Sequence, residues 1–96
     1  MNKRRIVEKM ACDAALTRTQ AARALESFME GVQDSLARGE RVTLVGFGSF
    51  VLSRRKARRV REPHNGITME LEARSVARFR AGIELKTAIE KADSSD

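Results

Sequence analysis

Apolar residues at the start of the chain recur at a helical period. Ile6, Val7, Met10, Ala11 and Ala14 share one face, while Lys3, Arg4, Glu8 and Lys9 occupy the rest. Asn2 precedes them with a side chain suited to capping a free amide, so the pattern predicts a short helix ending near Ala15. Thr17 followed by Gln20 matches a capping box, in which a hydroxyl and a side-chain amide each satisfy one free backbone N–H. From there Ala21, Leu25, Phe28, Met29, Val32 and Leu36 mark one face of a second, longer helix. Gly39 supplies the left-handed residue that closes it, and the two helices read as an antiparallel pair.

After Gly39 the period falls to two. Val42 and Leu44 alternate with Thr43 and Val45, Gly46-Phe47-Gly48 interrupts, and Phe50, Val51 and Leu52 resume, which predicts a β-hairpin. From Arg54 the apolar side disappears. Arg54, Lys56 and Arg58 point one way along an extended chain, and Arg55, Arg59 and Arg61 point the other. A strand charged on both faces cannot lie on a core, because burying an unpaired cation costs several kcal/mol. Glu62-Pro63-His64-Asn65-Gly66 is dense in turn residues, and the chain should reverse there. Ile67, Met69 and Leu71 alternate with Thr68, Glu70 and Glu72 on a return limb that leads to Val76 and Phe79. At ~3.3 Å per residue, about eight residues of limb reach on the order of 25 Å beyond the body. A last helix is expected from about Gly82 to 91, with Leu85, Ala88 and Ile89 inward and Ala92 to Asp96 as a frayed tail.

Charge sharpens this picture by its distribution. The chain has 96 residues with 19 Lys and Arg against 13 Asp and Glu, a net of +6. Residues 1–53 carry 8 basic and 6 acidic groups, residues 54–61 carry 6 and none, and residues 62–96 carry 5 and 7. The whole excess is thus matched by one short run, the electrostatic footprint of a polyanion partner. From the residues alone a solvated charged strand and a disordered basic tail remain alternatives for that run. A domain this small buries only about 60 to 65% of the surface its unfolded chain exposes, so dimerisation is expected.

Candidate chemistry of other kinds is sparse. The single cysteine, Cys12, excludes an internal disulfide and fits a reducing compartment. No run approaches the ~20 apolar residues of a membrane span, and no long apolar run follows the charged N-terminus, so a cytoplasmic protein is expected. Gly46 and Gly48 are not a phosphate loop, since no GKS or GKT follows. His64, the only histidine, cannot build a metal site alone, and no nucleophile with a base or pair of carboxylates suggests catalysis. The expectation is a non-enzyme without metal, cofactor, membrane or small-molecule partner.

Gly46-Phe47-Gly48-Ser49-Phe50, then Arg55, Arg58 and Arg61 at intervals of three, then Pro63, then Phe79-Arg80-Ala81-Gly82 with Leu85-Lys86 occur in one order at compatible spacings. In these residues the chain resembles, over nearly its whole length, the bacterial histone-like HU and integration host factor family of DNA-bending proteins. The resemblance implies an α+β fold built as an intertwined dimer. A helical base (about 2–38) carries a three-stranded antiparallel sheet (about 41–53 and 74–80), an extended β-ribbon arm (about 54–73) and a C-terminal helix (about 82–91), in one domain spanning 1–96. Phe47, Phe50 and Phe79 would fill the shared dimer core.

The resemblance also implies double-stranded DNA as partner, bent and compacted through minor-groove arms in the nucleoid. Lys3, Arg54, Arg55, Lys56, Arg58, Arg59, Arg61, Pro63, Asn65, Arg74, Arg80 and Lys86 are the implied DNA-binding residues, with Pro63 as a wedge between base pairs. A rigid apolar ring can unstack a base step for a few kcal/mol, and the bend then brings more phosphates to the basic flank. Lys3 and Glu26 correspond to a familiar surface pairing in the family. A homodimer is expected, with a site-specific heterodimer subunit, or a basic module for RNA or acidic proteins, as alternatives. The chain departs from the family pattern at Glu62 and Asn65 around the tip proline, at Ile83-Glu84 where a lysine is frequent at the first position, and at Ala77 where proline is frequent.

Overall fold

A computed structural model of the chain describes residues 1–61 and 66–94. Its elements are α1 (Lys3–Asp13), α2 (Arg18–Ala37), β1 (Val42–Leu44), β2 (Gly48–Arg55), β3 (Arg58–Arg61), β4 (Thr68–Leu71), β5 (Arg74–Ala81) and α3 (Ile83–Ser94). They fall into two compact units, Met1–Ser35 and Leu36–Asp96.

The helical unit begins and turns through local chemistry. Asn2 Oδ1 accepts the Arg5 backbone N–H at 2.9 Å and starts α1. The helix stops two residues before the expected Ala15. Ala14 caps it, Ala15 takes a left-handed φ of 55°, and the Leu16 N–H reaches back to the Ala11 carbonyl at 2.9 Å. These are the features of a Schellman ending, here without the glycine that usually supplies it. The capping box then forms in both directions: the Gln20 N–H donates to Thr17 Oγ1 at 3.0 Å, and the Thr17 N–H donates to Gln20 Oε1 at 2.9 Å. Gly39, at φ 80°, donates to the Leu36 carbonyl and ends the following helix as expected.

The second unit is built on one antiparallel sheet in the order β1-β2-β5. Gly46 (φ 88°) occupies the third position of a tight turn in which the Phe47 N–H donates to the Leu44 carbonyl at 2.9 Å. Gly48 is required for a different reason. A Cβ there would lie 2.5 Å from both the Phe79 ring and the Arg80 carbonyl oxygen. Those atoms belong to the strand paired with β2, where Gly48 faces Ala81. The Gly82 N–H donates to the Phe47 carbonyl at 2.8 Å, tying the turn to the start of α3.

Two boundaries correct the sequence reading. Residues Ala92, Asp93 and Ser94 belong to α3, because neither glycine nor proline interrupts the helix formers Glu90, Lys91 and Ala92. Arg54 and Arg55 belong to the body sheet, where they pair with Ser75 and Arg74 in the β2–β5 ladder. Backbone pairing extends the sheet that far because the ladder needs only main-chain partners, and the arginine side chains stay exposed.

Among the described residues the buried hydrophobic side chains are Ala21 and Val51 alone, and the only other buried position is Gly48. Phe28, Phe47, Phe79 and Ile89 keep 41%, 47%, 42% and 54% of their surface open, too much apolar area for a finished core.

Candidate nucleic-acid interface

The β2–β5 ladder ends at Arg55 opposite Arg74, and a separate β3–β4 ladder begins at Arg58 opposite Leu71. Lys56-Ala57 separates those pairs on one limb and Glu72-Ala73 on the other, so the limbs stay matched in length and neither carries an inserted residue. The ribbon is therefore a continuation of the β2–β5 hairpin in one register, with the ladder hydrogen bonding interrupted at those two dipeptides. Within the ribbon Arg59 stands opposite Glu70 and Arg61 opposite Thr68.

Register assigns the faces of the body sheet, because directly paired residues of an antiparallel ladder project to the same side. One face carries Phe50 and Phe79, whose ring centres are 5.1 Å apart, with Leu52 and Ala77 beyond them. Phe47 joins this cluster, 5.4 Å from Phe79. The three aromatic residues expected in a dimer core thus meet, and Phe47 and Phe79 remain nearly half exposed.

The other face sets polar and basic side chains around Val51 and Val76. Ser49 donates to Thr43 Oγ1 at 3.2 Å across β1–β2. On the same side stand Arg80 opposite Ser49, Arg78 opposite Val51, and Arg74 opposite Arg55. All four arginines are exposed, and none has an ion-pair partner among the described residues. The Arg55–Arg74 pair sets two cations across from each other, an arrangement that repels itself by a few tenths to about 1 kcal/mol.

The expected binding residues are thus partly gathered. Arg55, Arg74 and Arg80 share one sheet face, Arg54 falls on the face of Phe50, and Lys56 lies between the two ladders. Arg58, Arg59 and Arg61 form β3, and Lys86 lies in the first turn of α3, where its N–H donates to the Gly82 carbonyl at 3.0 Å. Lys3 belongs to the helical unit, where its ammonium pairs with Glu26. Pro63 and Asn65, with Glu62 and His64, lie outside the described residues. Sequence reasoning misses Arg78. Its signal is the alternation of Arg74, Arg78 and Arg80 along one strand, masked when that segment is read for Val76 and Phe79.

Other titratable groups offer little. Lys9 is held above its ordinary value of 10.5 by its hydrogen bond to Asp13 and then by that carboxylate's charge, but its side chain is exposed. Cys12 is a free, exposed thiol. Among the described residues no helix is long and apolar enough to cross a membrane.

The family described as bacterial DNA-binding protein matches residues 1–90 of the chain. The chain is 44% identical over 89 residues to the DNA-binding protein HU-beta of Serratia marcescens, covering 93% of this chain and 99% of that protein. It is 40% identical over the same length to the DNA-binding protein HU of Staphylococcus aureus, again covering 93% and 99%. Its structure is similar to that of Anabaena HU in a cocrystal with DNA, with a TM-score of 0.86 and 38% identity over 93% of this chain and 97% of that one. It is also similar to HU from Thermotoga maritima, with a TM-score of 0.65 and 27% identity over 93% and 98% of the two chains.

Proposed function

Because this chain belongs to the bacterial DNA-binding protein family that includes HU, we propose that its basic ribbon and sheet face hold duplex DNA as part of an architectural, non-enzymatic protein. The observation that carries the reading is the continuous register from β2 through β3, which gives six cations between positions 54 and 61 with no acid among them a single extended support. Such a surface grips phosphates and carries little sequence information, since the minor groove separates little beyond A·T from G·C. Non-specific binding follows.

Residues 1–96 act as one DNA-binding domain, and two copies make the working unit. Half-exposed Phe47 and Phe79 beside Phe50 support dimerisation through that aromatic face, which would bury what one chain leaves open. Arg54, Arg55, Lys56, Arg58, Arg59, Arg61 and Asn65 would contact DNA from the arm and its root. Arg74 and Arg80 would contact it from the sheet, and Lys3 and Lys86 from the helices. Pro63 would wedge a base step, with Glu62 beside it opposing close approach to the polyanion. The reading implies action in the cytoplasm, on the nucleoid.

Two experiments test it. Binding to duplex DNA, RNA and an acidic protein at one salt concentration should favour the duplex; equal or stronger binding to the acidic protein would overturn the reading. The bend angle of a bound duplex, measured by energy transfer between its ends, should fall for Pro63→Ala. An unchanged angle excludes the wedge.

A further inference from the structure

We infer that Arg78 is a DNA-phosphate contact on the body sheet, acting in a row with Arg55, Arg74 and Arg80 that carries the binding surface from the ribbon onto the body. The inference rests on the DNA-binding reading above and extends it to a surface beyond the ribbon.

An acid directly across the ladder from a strand arginine stabilises the sheet by a few tenths to about 1 kcal/mol. Among the described residues no such partner exists. The residues directly opposite Arg78, Arg80 and Arg74 are Val51, Ser49 and Arg55, and the other residues on that face, Thr43, Ser53 and Val76, are uncharged. Beyond the backbone ladder, none of the four guanidinium groups has a hydrogen-bond or ion-pair partner among the described residues, and all four arginines are exposed. Four like charges gathered on one face, two of them directly opposed, lower the stability of the isolated sheet. A polyanion removes that cost.

Spacing favours a nucleic-acid strand over a single small anion. Arg78 and Arg80 are two residues apart on β5, about 6.6 Å, and Arg74 lies a further four residues back, so the row spans on the order of 20 Å. Phosphates along one strand of a duplex advance about 3.4 Å each along the axis, so a row on the order of 20 Å long can face several phosphates where a small anion meets one cation or two. Val51, opposite Arg78, is buried, whereas Arg78 itself is exposed, so the guanidinium is free to meet a phosphate.

The test is the salt dependence of duplex binding by Arg78→Gln, Arg78→Lys and Lys91→Gln, the last an exposed cation on α3 that serves as control. Removing one cation that neutralises a phosphate should lower the slope of log affinity against log salt by about 0.9. Arg78→Gln should show that drop, Arg78→Lys should largely restore the slope by keeping the charge, and Lys91→Gln should match the wild type. An unchanged slope for Arg78→Gln overturns the inference. So does an equal drop for Arg78→Gln and Arg78→Lys accompanied by a lower melting temperature, which marks a packing role. Absence of salt-dependent duplex binding by the wild type would instead overturn the DNA reading itself.

Discussion

Ala15 shows how a single residue can hold an unfavourable conformation for the sake of a chain reversal. Its φ of 55° puts Cβ close to the following carbonyl, which costs an L-residue roughly 1–2 kcal/mol. The position is fixed by the Leu16 bond to Ala11 and by the capping box that starts two residues later. Ala15→Gly should therefore stabilise the protein by about 0.5–1 kcal/mol, after allowing for the added freedom of glycine in the unfolded chain. Thermal or urea unfolding reads the difference, and a fall in stability would contradict the strain. The N-caps of the two helices were legible in the sequence because Asn2 with Arg5 and Thr17 with Gln20 interact within three residues. The left-handed Ala15 was not, since no glycine marks the place.

At the scale of the elements, the hairpin and its basic extension were legible from alternation, and the register was not. Alternation along 54–61 says only that cations leave both sides of a strand. The pairing of Arg54 with Ser75 and of Arg55 with Arg74 decides which side each one joins. It sets Arg54 with the aromatic face and Arg55 with the arginine row, a distinction that needs both limbs to be known. It also brings Arg78 into view, since a residue near Phe79 gains a partner surface only once β5 is laid against β2. Arg55→Gln should therefore weaken duplex binding and flatten its salt slope more than Arg54→Gln does. Titrations of the two variants at several salt concentrations compare them, and a larger effect at Arg54 would contradict the assignment of faces.

For the whole molecule the decisive quantity is apolar surface left open. Ala21 and Val51 are the only buried hydrophobic side chains among the described residues, while Phe28, Phe47, Phe79 and Ile89 are each more than two-fifths exposed. The chain's size forecasts a marginal monomer, and the structure shows which surfaces remain to be covered. If two copies complete the core, the melting temperature should rise with protein concentration, because mass action favours the associated folded state. A melting temperature independent of concentration over a hundredfold range, with a monomeric mass by sedimentation, would contradict this. Phe47→Ala should shift the balance further toward separated, less stable chains.

The ribbon is the proposed central grip on DNA, and neutralising three of its cations is the direct test. The measurement is duplex affinity from 50 to 200 mM salt for the intact protein and for a variant carrying Arg58→Gln, Arg59→Gln and Arg61→Gln together. With ~6–10 phosphates neutralised, the intact protein should weaken about 10³- to 10⁵-fold in affinity across that range. The variant should bind more weakly to every duplex sequence, with a slope lower by about 0.9 for each phosphate no longer neutralised. A variant that keeps wild-type affinity and slope while remaining folded would show that DNA is held elsewhere.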